Sequence, residues 1–238
     1  MLRAIIFDFD GVVADSEPIH LAVFQRVLGE AGFFLSPEEY YADYLGYDDK
    51  GCFRAFLTAH SQSPSNEMID NLVARKAQVY LDHMKQNLII FPGVRELVRD
   101  AATRHRLAIA SGALRHEIEY ILGCAGIRKE FEHITSAEDV RHGKPNPEPF
   151  MHALASLNQA SQSGQTRLAP DDCLVIEDSI PGIRAAHAAG MKVLAVSNTH
   201  TVQDLHEADA LTGSLADVKL PELENRLWTA DLARHGPR

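Results

Sequence analysis

Asp8-Phe9-Asp10-Gly11 sets two carboxylates two residues apart, and the same chain later carries Ser111-Gly112, Lys144 within His142-Gly143-Lys144-Pro145-Asn146-Pro147, and Glu177-Asp178-Ser179. Singly, an aspartate of this kind is an ordinary turn or helix-capping residue. Gathered at one place, four carboxylates oppose folding, because two of them about 4 Å apart repel by roughly 4 kcal/mol at an effective dielectric near 20. Protons or a cation must compensate. A hard divalent ion with oxygen ligands is the simplest compensation, and Mg²⁺ prefers one or two carboxylates plus waters and substrate phosphate. A phosphorylated ligand is therefore expected. Phosphate monoesters hydrolyse slowly and need both charge neutralisation and a positioned nucleophile. An aspartate can serve as that nucleophile by way of an aspartyl-phosphate. In this chemistry Asp8 attacks phosphorus, while Lys144 and Ser111 hold phosphoryl oxygens. Asp10 shares a side of the extended backbone with Asp8, so it can protonate the leaving alcohol and then deprotonate water.

The elements that would gather these residues are legible around them. Ala4 to Phe7, Leu107 to Ala110, Cys173 to Ile176 and Lys192 to Val196 are short apolar segments without alternation, as expected of buried parallel strands. Helical patterns follow: Ile118 to Ala125 ends at Gly126, and Ile180 to Ala189 starts at Ser179-Ile180-Pro181 and stops at Gly190. Pro92 is expected to open a further helix through Ala101, and Asn158 to Pro170 reads as a solvated loop. Repeated strand-helix units predict an α/β fold with a doubly wound parallel sheet, in which ligands sit beyond the carboxyl ends of the strands. Asp8-Phe9-Asp10-Gly11, Ser111-Gly112 and Glu177-Asp178-Ser179 follow predicted strands at that edge, and the loop with Lys144 comes before the third of these. Pro18 to Gln86 is instead helical and amphipathic, with breaks at Gly32, Ser36-Pro37, Gly46 and Ser61 to Ser65. We expect an inserted helical domain at 16–87 within a core made of 1–15 and 88–238.

Composition narrows the partners. The 238 residues are 45% hydrophobic and 24% charged, which fits a globular chain that can bury a full core. No apolar run exceeds four residues, against about 20 for a bilayer span, and Asp8 and Asp10 interrupt the opening apolar stretch before it could act as a signal peptide. Three cysteines without a Cys-x-x-Cys spacing suggest neither disulfides nor zinc. A cytoplasmic setting is expected. With 23 basic and 33 acidic side chains, a net charge of -10 and scattered lysines and arginines, nucleic acid and anionic membrane are poor partners. A small phosphorylated metabolite and a monomeric chain are expected instead.

With these residues in place, the chain resembles the haloacid dehalogenase superfamily, in the branch of β-phosphoglucomutase and phosphoglycolate phosphatase-like enzymes. The motifs that carry the resemblance are Asp8-Phe9-Asp10-Gly11-Val12, Ser111, Gly143-Lys144-Pro145 and Glu177-Asp178-Ser179-Ile180-Pro181-Gly182, in order, from Ala4 to about Leu220. The resemblance implies a Rossmann-like core with Asp8 as nucleophile and Asp10 as acid/base. It also implies Mg²⁺ held by Asp8, the Asp10 carbonyl and Asp178 with Glu177 close by, and a helical cap that closes over substrate. Dehalogenases and phosphonate hydrolases of the superfamily lack the second aspartate, so Asp10 argues against both.

Specificity is expected in the cap. Asp15-Ser16-Glu17-Pro18-Ile19-His20 is similar to the hinge segment of sugar-phosphate members, which makes Glu17 and His20 candidate substrate contacts. Gly112, Lys50 and Arg115 join them, with Tyr44 and Lys76 as further candidates; Tyr44, Lys50, Lys76 and Arg115 are each more readily read as solvated. A mutase needs a second anion site, and Asp49, where β-phosphoglucomutase has an arginine, would repel an anion by about 1 kcal/mol at 4 Å in bulk-like water. A hydrolase is favoured on that ground. A signalling receiver shares an acceptor Asp, a Ser/Thr and a Lys on such a sheet, but it is about half this length and places its acidic pair before the acceptor. A silent binding protein on this fold would be expected to lack a key residue, and none is missing.

Overall fold

The computed structural model describes residues 1–45, 47–87, 89–160 and 166–229. The chain divides into two compact units, one made of Met1–Asp15 with Ile90–Arg238, the other of Ser16–Ile89. The return to the first unit falls at Ile90, against an expected 88.

In the first unit, β1 (Ala4–Phe7), β2 (Arg106–Ala110), β3 (His133–Thr135), β4 (Cys173–Glu177), β5 (Lys192–Val196) and β6 (Ala210–Thr212) form one sheet in the order β3-β2-β1-β4-β5-β6. Every pairing is parallel. This is the expected doubly wound sheet, and the direction of winding reverses between β1 and β4, where such folds bind ligands. Alternate residues serve opposite faces. Ala4, Ile6, Ala108, Val175 and Val193 gather with Phe150, Leu154 and Leu157 of a helix at Glu148–Gln159, while Phe7 meets Phe131 edge-on at 5.6 Å between ring centroids. Each fully buried Ile, Val or Phe contributes about 1.5–3 kcal/mol. Two or three of them outweigh one carboxylate repulsion at the strand ends.

The α-helices in chain order are α1 (Glu17–Glu30), α2 (Pro37–Glu39), α3 (Asp49–Ala59) and α4 (Asn66–Asn87) in the second unit, then α5 (Val94–Ala102), α6 (Arg115–Ala125), α7 (Glu148–Gln159), α8 (Ile180–Ala188) and α9 (Leu220–Glu224) in the first. Gly126 and Gly190 end α6 and α8 with φ of 69° and 76°, the left-handed conformation that favours glycine. Three expectations need correction. The helix after Pro92 starts at Val94, because Gly93 at φ 82° completes a turn first. β3 and β6 were not expected, and each is only three residues long. The predicted loop from Asn158 begins inside α7, and the Asn158 amide clasps Leu168 by Nδ2 to its carbonyl at 3.0 Å and by its Oδ1 accepting the Leu168 amide at 2.8 Å. Residues 161–165 of that loop lie outside the described residues, as do Gly46 and Leu88.

The second unit is helical, as its amphipathic text predicts. Ile19, Val23, Phe24, Val27 and Leu28 of α1 are buried, with Phe24 against Phe53 of α3 at 4.9 Å. The predicted breaks are structural: Gly32 follows α1 with φ 86°, and Ser36 Oγ caps α2 by accepting the Glu39 amide at 3.1 Å.

Candidate active site

Register brings the acidic residues together. Phe7 of β1 pairs with Ile176 of β4, and the Asp8 amide donates to the Ile176 carbonyl at 2.9 Å, so Asp8 leaves its strand beside Glu177. Asp8, Glu177 and Asp178 are buried, and each offers a carboxylate oxygen within 4.8 Å of the others. Lys144 Nζ lies 2.6 Å from Asp8 Oδ1 and 2.6 Å from Glu177 Oε1, over the Phe150 ring at 5.0 Å. Glu177 is held from its other side, where Oε2 accepts the Asp178 amide, the Ser179 amide and the Ser179 hydroxyl, each at 2.9 Å. Ser179 in turn caps α8 by accepting the Gly182 amide at 3.1 Å. A side chain at Gly182 would collide with the Glu177 carboxylate, which is why the first turn of α8 needs glycine there.

Burial and charge set the protonation of this group. Burial first, then the Glu177 charge, push the Asp8 carboxyl up to about 8, against the pull of Lys144. Burial also holds Asp178 well above the usual carboxylate range, helped by Glu177 and Asp8. For Glu177 burial acts upward too, but Lys144 and the Ser179 donors outweigh it and leave the group below its ordinary value. Burial acts downward on Lys144, and Asp8 and Glu177 outweigh it, so the ammonium sits above the ordinary lysine range. These directions favour a Lys144–Glu177 ion pair, with Asp8 and Asp178 holding protons more tightly than ordinary carboxyls, protons that a cation could displace. The donor set is all hard oxygen, which fits Mg²⁺.

Other candidates fall into separate groups. The charge of Asp10 contributes to the raised values of Asp8 and Asp178. Ser111 is buried at the end of β2, its amide donating to the Thr135 carbonyl at 3.0 Å and its Oγ accepting the Ala113 amide at 2.9 Å. Gly112 is exposed, with open space where a Cβ would stand. The Arg115 guanidinium is taken up by Asp139 at 2.6 Å and the Ile134 carbonyl at 2.9 Å. It ties α6 to β3 while its side chain stays 40% exposed.

In the second unit Glu17 Oε1 accepts the Tyr40 hydroxyl at 2.5 Å, and His20 Nδ1 lies 2.9 Å from Lys76 Nζ. Burial, then Lys76, hold His20 well below its ordinary value, so its neutral ring accepts from the ammonium. Lys76 is 2% exposed and not solvated; it pairs with Asp49 and lies over the Phe24 ring at 4.2 Å. Asp49 is therefore not the bare anion that its place in the sequence suggests. Tyr44 is buried too and donates to Glu39 at 3.1 Å. Lys50 is apart from this cluster, paired with Asp70 at 2.7 Å where both side chains are largely exposed. Sequence reasoning missed Asn198, Thr199 and His200, which bond the acidic loops directly; their place just after a strand neighbouring β4 was the available signal.

Residues 5–196 match the family described as haloacid dehalogenase-like hydrolase. The chain belongs to that family. Among curated proteins, this hydrolase is 29% identical over 229 residues to protein CbbY of Rhodobacter capsulatus, covering 93% of this chain and 94% of CbbY. It is 28% identical over 230 residues to the phosphorylated carbohydrates phosphatase of Thermotoga maritima, covering 95% and 98% of the two chains. The crystal structure of CbbY from Rhodobacter sphaeroides in complex with phosphate superposes with a TM-score of 0.79 and 26% identity, over 91% of this chain and 96% of that one. The hydrolase is an enzyme of the phosphatase-like branch of its family. Among the described residues, no helix is long and apolar enough to cross a membrane.

Proposed function

We propose that this hydrolase is a Mg²⁺-dependent phosphomonoesterase for a small phosphorylated metabolite of the sugar-phosphate or phosphoglycolate class, turning over through an aspartyl-phosphate on Asp8. The observation that carries the reading is the buried set Asp8, Glu177 and Asp178 around the single ammonium of Lys144, which can balance only one of the three carboxyl groups and leaves the other two to a proton or a cation. Asp8 and Asp178, with the Asp10 carbonyl, would hold Mg²⁺, and Glu177 stands beside them. When bound, the ion neutralises phosphoryl charge and orients the group for in-line displacement.

The chain's own residues supply the rest. Asp8, freed of its proton, attacks phosphorus with a carboxylate oxygen as the bond from phosphorus to the ester oxygen breaks, and Asp10 gives its proton to the departing alcohol. Asp10 then takes a proton from water, whose oxygen attacks phosphorus, releasing inorganic phosphate and restoring Asp8. Lys144 and Ser111 hold phosphoryl oxygens, with Lys144 fixed by Glu177. Glu17 and His20 are proposed substrate contacts of a helical cap spanning the second unit. The Asp49–Lys76 pair carries no net charge to hold a second phosphate, which favours hydrolysis over mutase chemistry. The name of the Thermotoga relative supports a phosphorylated carbohydrate as substrate. The test is phosphate release from an aryl phosphate and a panel of phosphorylated metabolites, with Mg²⁺ and with chelator. Acid-quenched enzyme should carry phosphate on Asp8 by peptide mass spectrometry. Full activity without divalent metal, or phosphate mapped to another residue, refutes the reading.

A further inference from the structure

Three consecutive residues outside every motif above each hold a part of the acidic site. β5 pairs with β4 so that Ala195 stands opposite Glu177, and the chain leaving β5 therefore passes beside Asp178. There Asn198 Nδ2 donates to the Gly11 carbonyl at 2.7 Å, the Thr199 hydroxyl donates to Asp178 Oδ2, and His200 Nδ1 lies 3.0 Å from the Asp178 carbonyl. The carbonyl can only accept, so His200 carries its proton on Nδ1. Gly11 has φ 76°, and a Cβ on it would strike both the Asp178 carboxylate and the Thr199 hydroxyl. The turn after Asp10, Asp178 and the post-β5 segment are in close contact with one another.

We propose that Asn198, Thr199 and His200 are positioning residues that set the affinity of the site for Mg²⁺, an inference that rests on the Mg²⁺ reading above. A carboxylate with one oxygen bonded to a hydroxyl has lost its free rotation before the cation arrives, and its other oxygen is left to ligate. Asn198 acts on the opposite side, fixing the turn that carries Asp10. Groups that orient metal ligands in this way are typically worth about 10 to 100-fold in metal affinity. A segment that merely packed the loop would lower stability and leave the affinity unchanged.

The experiment is a Mg²⁺ titration of the full chain by calorimetry and by thermal shift, on wild type, Thr199→Val, Thr199→Ser and Asn198→Ala. Thr199→Val should bind Mg²⁺ about 10 to 100-fold more weakly, Thr199→Ser should return to within about threefold of wild type, and Asn198→Ala should weaken about tenfold. Turnover at saturating Mg²⁺ should show an unchanged KM for substrate. If Thr199→Val does not fold, Asn198→Ala carries the test. A wild-type Mg²⁺ affinity in the folded variants overturns the inference while leaving the enzyme's metal dependence intact. A wild type that gives no Mg²⁺ response overturns both.

Discussion

Replacing Lys144 with methionine removes the ammonium that Asp8 and Glu177 share at 2.6 Å each and keeps most of the side-chain volume. Leaving a buried charge without its partner costs about 3–5 kcal/mol. Two features place the loss at the lower end, near 3 kcal/mol at pH 7. Glu177 keeps three donors on Oε2, and Asp8, already pushed up to about 8, stays protonated in the variant. The pH dependence has a definite sign. Asp8 has a folded-state value raised above 3.8, so its contribution falls as pH rises toward 8, equally in both proteins. Above 8 the wild type has released the proton and stops losing stability. The variant, with Asp8 raised further, goes on losing up to about 1.4 kcal/mol per pH unit. Below about pH 5 the deficit should narrow. Glu177 is depressed in the wild type, so the wild type loses stability on acidification, while the variant can protonate Glu177 without that loss. Urea unfolding in chelator at pH 4.5, 7 and 9 reads the difference. The single tryptophan, Trp228, is buried in the sheet unit with its Nε1 on the Asp171 carbonyl at 2.7 Å, and its fluorescence follows that unit alone. A deficit under about 1 kcal/mol at pH 7, the size of a surface pair, or one that shrinks above pH 8, would refute this account of the cluster.

Asp8→Asn should abolish turnover and phosphoenzyme while preserving the unfolding transition, and Asp10→Asn should slow turnover by about 10² to 10⁴; stopped-assay kinetics on both variants checks the assignment. Mg²⁺ competes with protons on Asp8 and Asp178, so its affinity should rise from pH 6 to 8 with proton release, measurable by calorimetry in buffers of different ionisation enthalpy. In the helical unit, Asp49→Ala should cost about 3–5 kcal/mol because it leaves a buried Lys76 ammonium without its carboxylate. Lys76→Met should cost less, since Asp49 can turn to water; equal losses in thermal unfolding would contradict that asymmetry.

The central strands were legible because Ile5, Ile6, Phe7, Val175 and Ile176 are buried on both faces, which leaves a continuous apolar run in place of alternation. β3 and β6 were not, because His133-Ile134-Thr135 and Ala210-Leu211-Thr212 are too short and mixed to carry a period; a neighbouring strand edge makes them strands. The carboxylates could be located from sequence because each stands at or just past the carboxyl end of a strand. Lys76 could not. A lysine on an amphipathic helix defaults to water, and what buries it is Asp49 from another helix and the Phe24 and Tyr80 rings at 4.2 and 5.5 Å. The Arg115–Asp139 pair was not legible either, since Asp139 lies 24 positions away. Asn198 to His200 belong to no motif in the sequence, and only the position of β5 beside β4 gives them a role.

The discontinuity of the sheet unit bears on how the chain is made. β1 lies between β2, which opens at Arg106, and β4, which opens at Cys173. At about 5–20 residues per second of synthesis, the strand carrying Asp8 waits on the order of 10–30 s for its second neighbour. The contiguous helical unit, with its local contacts, can fold within that interval. Throughout the wait at least one edge of the apolar strand Ala4–Phe7 is unpaired, the kind of edge that self-associates. Asp8 and Asp10 flank it with charge and, still solvated at that stage, would discourage association of nascent chains. The two carboxylates proposed for the chemistry of the finished protein would first have protected its synthesis.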